Sequence, residues 1–226
     1  VSGGDGQPTV AAILVAAGAG ERLGVGVPKA FVQVAGQTLL EHASIRFVHH
    51  PAVRDVIAVV PSAMIGPSEA LMAGVAVIAG GATRQESVAR GLARLAADVD
   101  LVLVHDVARP FVPADVIDRV IAALSAGADA AVPTVPVTDT IRRIDEAGEL
   151  AELVDRSRLL AMQTPQGFRR LALQEAHSAA TESTATDDAA LVEARGGHVV
   201  AVDGDASAFK ITQPLDLALA ELVAMR

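Results

Sequence analysis

The sequence predicts an α/β protein, a Rossmann-like three-layer α/β/α sandwich around a mostly parallel sheet, with a β-hairpin arm protruding from it. Two observations carry this. Short runs rich in Val, Ile and Ala alternate along the chain with stretches of helical apolar spacing, the signature of strands joined by crossover helices on both faces of a sheet. That pattern changes at Pro133, where Val135, Val137, Ile141 and Ile144 stand among polar residues and arginines, and Asp145-Glu146-Ala147-Gly148 follows as a turn. At 226 residues the chain fits one domain, residues 1–226. A chain of this size buries roughly 70% of its unfolded surface.

The elements follow in order. Residues 1–9 read as a mobile leader. Residues 10–16 read as a strand, 38–48 as a helix and 53–60 as a strand. A short helix is expected at 68–73 and a strand at Val75–Ala79. Val88, Leu92 and Leu95 share one face of a helix over 83–96. A brief buried strand at 101–104 precedes a helix over 113–124, which opens on a proline in its first turn. Another strand is expected at 128–132. The arm occupies 133–156; a two-stranded hairpin is marginal alone, so it is expected to pack against a second subunit. Beyond it come a helix at 171–179, a polar loop at 181–186, a helix at 187–194 with acids in its first turn, a strand at 198–202 and a terminal amphipathic helix at 214–225.

Composition removes several functions. The chain has no cysteine, which excludes disulfides, thiolate nucleophiles and zinc–cysteine sites and fits a cytoplasmic protein. The N-terminal VSGGDGQPT lacks the basic and apolar regions of a signal peptide, and no apolar run approaches the ~18 residues of a membrane span. Net charge is −9, with no Trp or Tyr and five Phe; nucleic-acid binders are usually basic and rich in exposed aromatics. An acidic protein still binds anions when its few cations converge in one cleft.

The motifs fall at the carboxyl ends of the expected strands, where sites form in open α/β sheets. The first strand runs into Ala16-Ala17-Gly18-Ala19-Gly20-Glu21-Arg22-Leu23-Gly24, with Lys29 beyond. Small residues let backbone N–H groups approach phosphate oxygens and the cations neutralise them; the alternative is a tight strand–helix turn. The third glycine is one residue late for a dinucleotide fingerprint, and no phosphate-loop lysine motif is present. The chain holds only two lysines, Lys29 and Lys210. Gly80-Gly81-Ala82-Thr83-Arg84-Gln85-Glu86-Ser87 places a glycine pair before a helix; its N–H groups and Ser87 could read a base edge, or Thr83 and Glu86 could form a capping box. His105-Asp106-Val107-Ala108-Arg109-Pro110 puts an aspartate at a strand end, suited to a metal ion or a substrate hydroxyl; a salt bridge between Asp106 and Arg109 is the structural alternative, and His105 reads as a structural histidine. His49-His50 reads as a surface helix terminus. Arg156, Gln163-Thr164-Pro165-Gln166-Gly167-Phe168 and Phe209-Lys210-Ile211-Thr212 complete the set. Phe31, Phe111, Phe168 and Phe209 lie in or beside these motifs and either wall a site or pack in the core.

Taken together, AAGAGERLG…PKAF, GGATRQESV, VHDVARPF, PVTDTI, VDRSRL, TPQGF, TDDAALVE and FKIT, in this order from Ala16 to Thr212, resemble the 2-C-methyl-D-erythritol 4-phosphate cytidylyltransferases of the non-mevalonate isoprenoid pathway. Glu21 and Ala82 depart from the family pattern, where a basic and an acidic residue can stand. The resemblance implies the nucleotidyltransferase form of the fold and transfer of CMP from CTP to methylerythritol phosphate with release of pyrophosphate. It implies that Arg22 and Lys29 stabilise the transition state, and that Arg156 and Lys210 complete the catalytic set. Ala16, Ala17, Gly18, Ala19, Gly20, Gly80, Gly81, Ala82 and Ser87, with Arg22 and Lys29, would bind the nucleotide. Asp106, Arg109, Thr140, Thr164 and Thr186, with Arg156 and Lys210, would bind the acceptor. Mg²⁺ would ride on the triphosphate, with Asp106 the candidate protein contact. The arm would make a homodimer in which Thr140 and Arg156 serve the neighbouring site. The rivals are a ribitol-5-phosphate cytidylyltransferase of the same fold, a sugar-phosphate nucleotidyltransferase, a nucleotide-binding pseudoenzyme and a nicotinamide oxidoreductase. The displaced glycine and the lack of a catalytic tyrosine weigh against the last, and four cations in place weigh against the pseudoenzyme.

Overall fold

A computed structural model describes residues 7–17, 27–180 and 187–225. The alternation read from the sequence produces the expected layers. Strands β1 (Val10–Val15), β4 (Val53–Val60), β5 (Val75–Ala79) and β6 (Leu101–Asp106) pair in parallel in the order β6-β1-β4-β5. Their register brings Val15, Val59 and Asp106 level at one edge, with Ala79 beside Val60. Successive side chains of a strand point to opposite faces, and here both faces are buried. Ala11, Ile13, Val102 and Val104 pack under helix α3 (Arg84–Arg94), together with α5 (Arg170–Ala179) and α6 (Asp188–Glu193). Val10, Ala12, Leu14, Leu101 and Leu103 pack on the other side under α1 (Leu39–Val48) and α4 (Ala114–Ser125). Strands buried on both faces read as continuous apolar runs, which is why β1 and β6 have no polar alternation.

The other half of the sheet departs from the expected order. Strand β7 (Ala130–Pro136) lies beyond β6, and β12 (Val199–Asp203) pairs with its outer edge in parallel. The inner edge of β7 is divided: β10 (Leu160–Met162) pairs with its second half and β11 (Gln166–Arg169) with its first. Strand β11 lies between β6 and β7, antiparallel to both. At three and four residues, β10 and β11 are too short to show a period.

Further expectations need correction. The strand placed at 128–132 continues through Pro133 to Pro136, because Thr134–Pro136 pair with β10 and Thr134 also pairs with β12. The hairpin is therefore shorter than 133–156: β8 (Ile141–Ile144) and β9 (Leu150–Val154) form a separate two-stranded antiparallel sheet. Helix α2 spans Ile65–Leu71 and not 68–73; Pro67 is accommodated in its first turn, where no N–H partner is lost. Pro113 is the N-cap of α4, one position before the first helical residue. His50 is not at the surface; it is 4% exposed and sits 3.3 Å from Asp118, while His49 alone is the exposed helix C-cap. The short pair β2 (Gln33–Val34) and β3 (Gln37–Thr38) leads into α1, and α7 (Pro214–Ala224) packs near it through Ala220. The loop expected at 181–186 lies outside the described residues.

Candidate active site

The aligned carboxyl ends of β1, β5 and β6 open onto a cavity of about 400 Å³. Ala16, Ala17, Lys29, Gly81, Ala82, Ser87, Asp106 and Lys210 line it, so eight of the expected residues meet here from separate stretches of chain. Thr83, Arg84, Val107 and Ala108 also line it. Among the described residues, Lys29, Arg84 and Lys210 share this lining with a single carboxylate, so the cleft is cationic within a chain of net charge −9. Clefts lined by one sign of charge concentrate ligands of the other.

Asp106 is the hub. Lys210 donates through Nζ to Oδ2 at 2.7 Å, and Arg84 through Nε to Oδ1 at 3.3 Å. Burial alone would oppose ionisation of this carboxyl, but the charges of Arg84 and Lys210 outweigh it and hold the pKa well below the usual carboxylate range. The backbone N–H of Asp106 donates to Thr164 Oγ1 at 3.1 Å. Thr164 in turn lies 3.1 Å from His105 Nδ1, and His105 Nε2 lies 3.0 Å from the carbonyl of Arg109. A carbonyl only accepts, so Nε2 carries the proton and Nδ1 accepts from the threonine hydroxyl. Every group in this knot is satisfied with a neutral ring, and burial lowers the His105 pKa to about 4. His105 is thus structural, as expected.

Arg109 does not bridge to Asp106; its guanidinium donates to the carbonyls of Met162 at 3.0 Å and Ala208 at 2.8 Å. The N–H of Ile211 donates to the carbonyl of Ala108 at 2.8 Å. These bonds tie the Lys210 segment to the end of β6. Burial lowers the pKa of the Arg109 guanidinium, with Asp106 opposing the shift.

The glycine pair shows why small residues are needed. A Cβ on Gly80 would lie 2.5 Å from the Cβ of Ala17 and 3.0 Å from Ser87 Oγ, and one on Gly81 would lie 2.3 Å from the Cβ of Glu86. The Gly81 N–H donates to Ser87 Oγ at 3.1 Å and the Ala82 N–H to the Glu86 carboxylate at 2.7 Å. Thr83 caps α3 by accepting from the Glu86 N–H at 3.0 Å. The expected capping box is therefore half formed: the Glu86 carboxylate reaches Ala82 in place of the Thr83 N–H.

The remaining expected residues are distributed as follows. Gly80 adjoins the cavity at the end of β5, and Thr164 supports Asp106 from below. Thr140 and Arg156 are exposed and flank the β8–β9 hairpin. Gly18, Ala19, Gly20, Arg22 and Thr186 lie outside the described residues. None of Phe31, Phe111, Phe168 and Phe209 lines the cavity; Phe168 and Phe111 are buried in separate core clusters, and ordinary packing accounts for them.

Arg84 is a site residue that sequence reasoning leaves without a role, although it stands inside a quoted motif. A usable signal is present: it is the first residue of α3, where the helix dipole disfavours a cation, so an arginine there calls for anionic partners. It has two, Asp106 and Asp188, the latter at 2.6 Å.

The family model described as IspD, 2-C-methyl-D-erythritol 4-phosphate cytidylyltransferase, matches residues 10–226. The chain belongs to that family. A relative of that name in Saccharopolyspora erythraea is 48% identical over 223 residues, covering 95% of this chain and 99% of its own length. A bifunctional IspD/IspF enzyme of Clavibacter michiganensis is 45% identical over 97% of this chain, which spans 55% of that enzyme's length. The crystal structure of 2-C-methyl-D-erythritol 4-phosphate cytidylyltransferase from Thermus thermophilus superposes with a TM-score of 0.80 at 41% identity, covering 95% of this chain and 98% of that one. The family's shared architecture therefore extends over the sheet, the cavity and the Lys210 segment. Among the described residues no helix is long and apolar enough to cross a membrane.

Proposed function

We propose that the chain transfers CMP from CTP to 2-C-methyl-D-erythritol 4-phosphate, giving 4-diphosphocytidyl-2-C-methyl-D-erythritol and pyrophosphate. The observation that carries this reading is the convergence of Lys29, Arg84 and Lys210 in one cavity of a chain that belongs to the cytidylyltransferase family. The acceptor phosphate is already an ionised nucleophile, so the reaction needs two anions held together and the charge growing at the α-phosphorus neutralised, more than it needs a base. Lys29, with Arg22, would meet the triphosphate. Lys210 would meet the acceptor phosphate, with Arg109 fixing the backbone that presents it, Thr164 holding the backbone of Asp106 and Thr186 contributing to the same end. Ala16, Ala17 and the residues after them, with Gly80, Gly81, Ala82 and Ser87, would form the nucleotide end.

Magnesium fits as a cation carried by the triphosphate. Among the described residues Asp106 is the one carboxylate on the cavity wall, and it already engages Arg84 and Lys210. Those residues also contain no group of three His, Asp or Glu able to hold a metal. Bound with the triphosphate, the ion would neutralise phosphate charge and hold the chain of phosphates in one conformation; Asp106 would face it.

The dimer reading rests on the β8–β9 hairpin. It forms its own sheet, and Ile144, Leu150 and Leu153 are 68%, 70% and 64% exposed. Apolar side chains on an arm that is marginal alone suit burial against a second copy, which would carry Thr140 and Arg156 to the neighbour's site. Pyrophosphate release tests the activity: with CTP and magnesium, methylerythritol phosphate is expected to support turnover and ribitol 5-phosphate is not. Release with ribitol 5-phosphate alone would reassign the acceptor, and release with neither would overturn the reading.

A further inference from the structure

A row of charged groups starts behind the cavity wall, at His177 and Asp188, and ends inside the cavity at Lys210. His177 of α5 meets Asp188 Oδ1 through Nε2 at 2.8 Å. Asp188 Oδ2 meets Arg84 Nη1 at 2.6 Å, Arg84 Nε meets Asp106 Oδ1 at 3.3 Å, and Asp106 Oδ2 meets Lys210 Nζ at 2.7 Å. Asp188 is 1% exposed and the His177 side chain 6%, whereas Arg84 and Lys210 reach the cavity at 31% and 41%. Burial opposes ionisation of Asp188, but the hydrogen bond from His177 and the charge of Arg84 outweigh it and hold its pKa low. The row alternates in sign from Asp188 to Lys210 and crosses from the second layer into the site.

We propose that Asp188, seated by His177, is a positioning residue: it draws Arg84 back so that Asp106 remains shared with Lys210, and thereby sets where the Lys210 ammonium stands. Arg84 has two carboxylate partners and Lys210 has Asp106. Without the charge of Asp188, Arg84 turns its whole charge on Asp106 and competes with Lys210 for it. Asp188 is not part of the cavity lining, so its effect on the site runs through Arg84. Buried networks of this kind act as units, and their members couple in double-mutant cycles. The kinetic arm of the inference rests on the activity proposed above; its structural arm does not.

The scarcity of lysine supplies the structural measurement. With Lys29 and Lys210 as the only lysines, trace acetylation followed by peptide mass spectrometry reports the reactivity of Lys210 against Lys29 in one sample, without substrate. Asp188→Asn is expected to raise the Lys210/Lys29 labelling ratio at least threefold. Arg84→Gln is expected to lower it, since Asp106 is then left to Lys210, and the double variant is expected to match Arg84→Gln alone. In kinetics, Asp188→Asn should lower kcat/KM for the acceptor about tenfold with the CTP dissociation constant moving less than threefold, and should cost less than twofold when added to Lys210→Ala. A labelling ratio unchanged in Asp188→Asn, or a rise that persists in the double variant, overturns the proposal. Should Asp188→Asn fail to fold, Arg84→Gln decides, its partly exposed side chain being replaceable without opening the core: an unchanged ratio there is equally fatal. Loss of turnover in the unmodified chain would sink the activity and leave the labelling result standing.

Discussion

The carboxyl end of β6 and the β8–β9 hairpin both pair an arginine with a carboxylate, yet they are built on opposite principles. At the end of β6, His105, Asp106 and Thr164 share bonds with one another, with the Arg109 carbonyl and with Lys210, which leave these three side chains satisfied and mostly out of water. The hairpin has β-ladder bonds and an exposed Arg143–Glu152 pair, with its apolar side chains in solvent. One region fixes its side chains against one another. The other leaves apolar side chains uncovered in this chain alone. Chemistry that relies on preorganised charge belongs on the first and assembly on the second.

Four measurements sharpen or break that contrast. Lys29→Ala is expected to lower kcat by ~10²–10³, the cost of one preorganised charge partner, with circular dichroism unchanged; wild-type turnover would remove the cavity from the chemistry. Next in size is the response to acid. Below about pH 6.5 an unfolded chain protonates the imidazole of His105, while the folded chain resists down to about 4. Stability should therefore fall as pH drops through that window, by about 3 kcal/mol for this group. Asp106 and Asp188, both held low, lose their contribution only at lower pH, as the medium falls through and below the ordinary carboxylate range. Urea titrations at pH 7, 5.5 and 4.5 read the first window; a flat profile would show that His105 is not buried neutral. Gly80→Ala, whose Cβ collides with Ala17, is expected to cost about 1–3 kcal/mol by overpacking and to weaken CTP binding; a melting temperature and CTP affinity equal to the parent's would mean that the loop moves freely. The smallest effect on folding belongs to the hairpin. Ile144→Ser with Leu153→Ser should change chain stability by about 0.5 kcal/mol or less while shifting sedimentation toward monomer. A dimer that survives both changes would move the interface elsewhere.

Much of the fold and site is legible in the sequence, for uneven reasons. The apolar runs of β1 and β4 are long enough to show their burial, and their bounds, like those of the partly buried edge strand β5, are read to within a residue. Gly80 and Gly81 are legible because a turn needing close backbone approach leaves a compositional mark. By contrast, β10 and β11 have three and four residues and owe their pairing to neighbours distant in sequence, so no local pattern announces them. The partners of Asp106 are half legible. Lys210 stands out by rarity, whereas Arg84 is hidden inside a motif credited to its glycines, and the bond it donates to Asp188 spans 104 positions. A dipole argument at the first turn of α3 singles out Arg84 but not its distant partner.

The place of β11 has a consequence for how the chain is made. Both β6 and β7 leave the ribosome before the strand that separates them, since β11 begins at Gln166. Until it arrives, one edge of β6 and the first half of the facing edge of β7 lack the strand that matches their N–H and C=O groups, a template for the wrong partner. The middle of the sheet is thus filled late, with only β12 at the outer edge of β7 still to follow. A nascent chain halted short of Arg169 would be a candidate for chaperone capture, although most of its strands had already been synthesised.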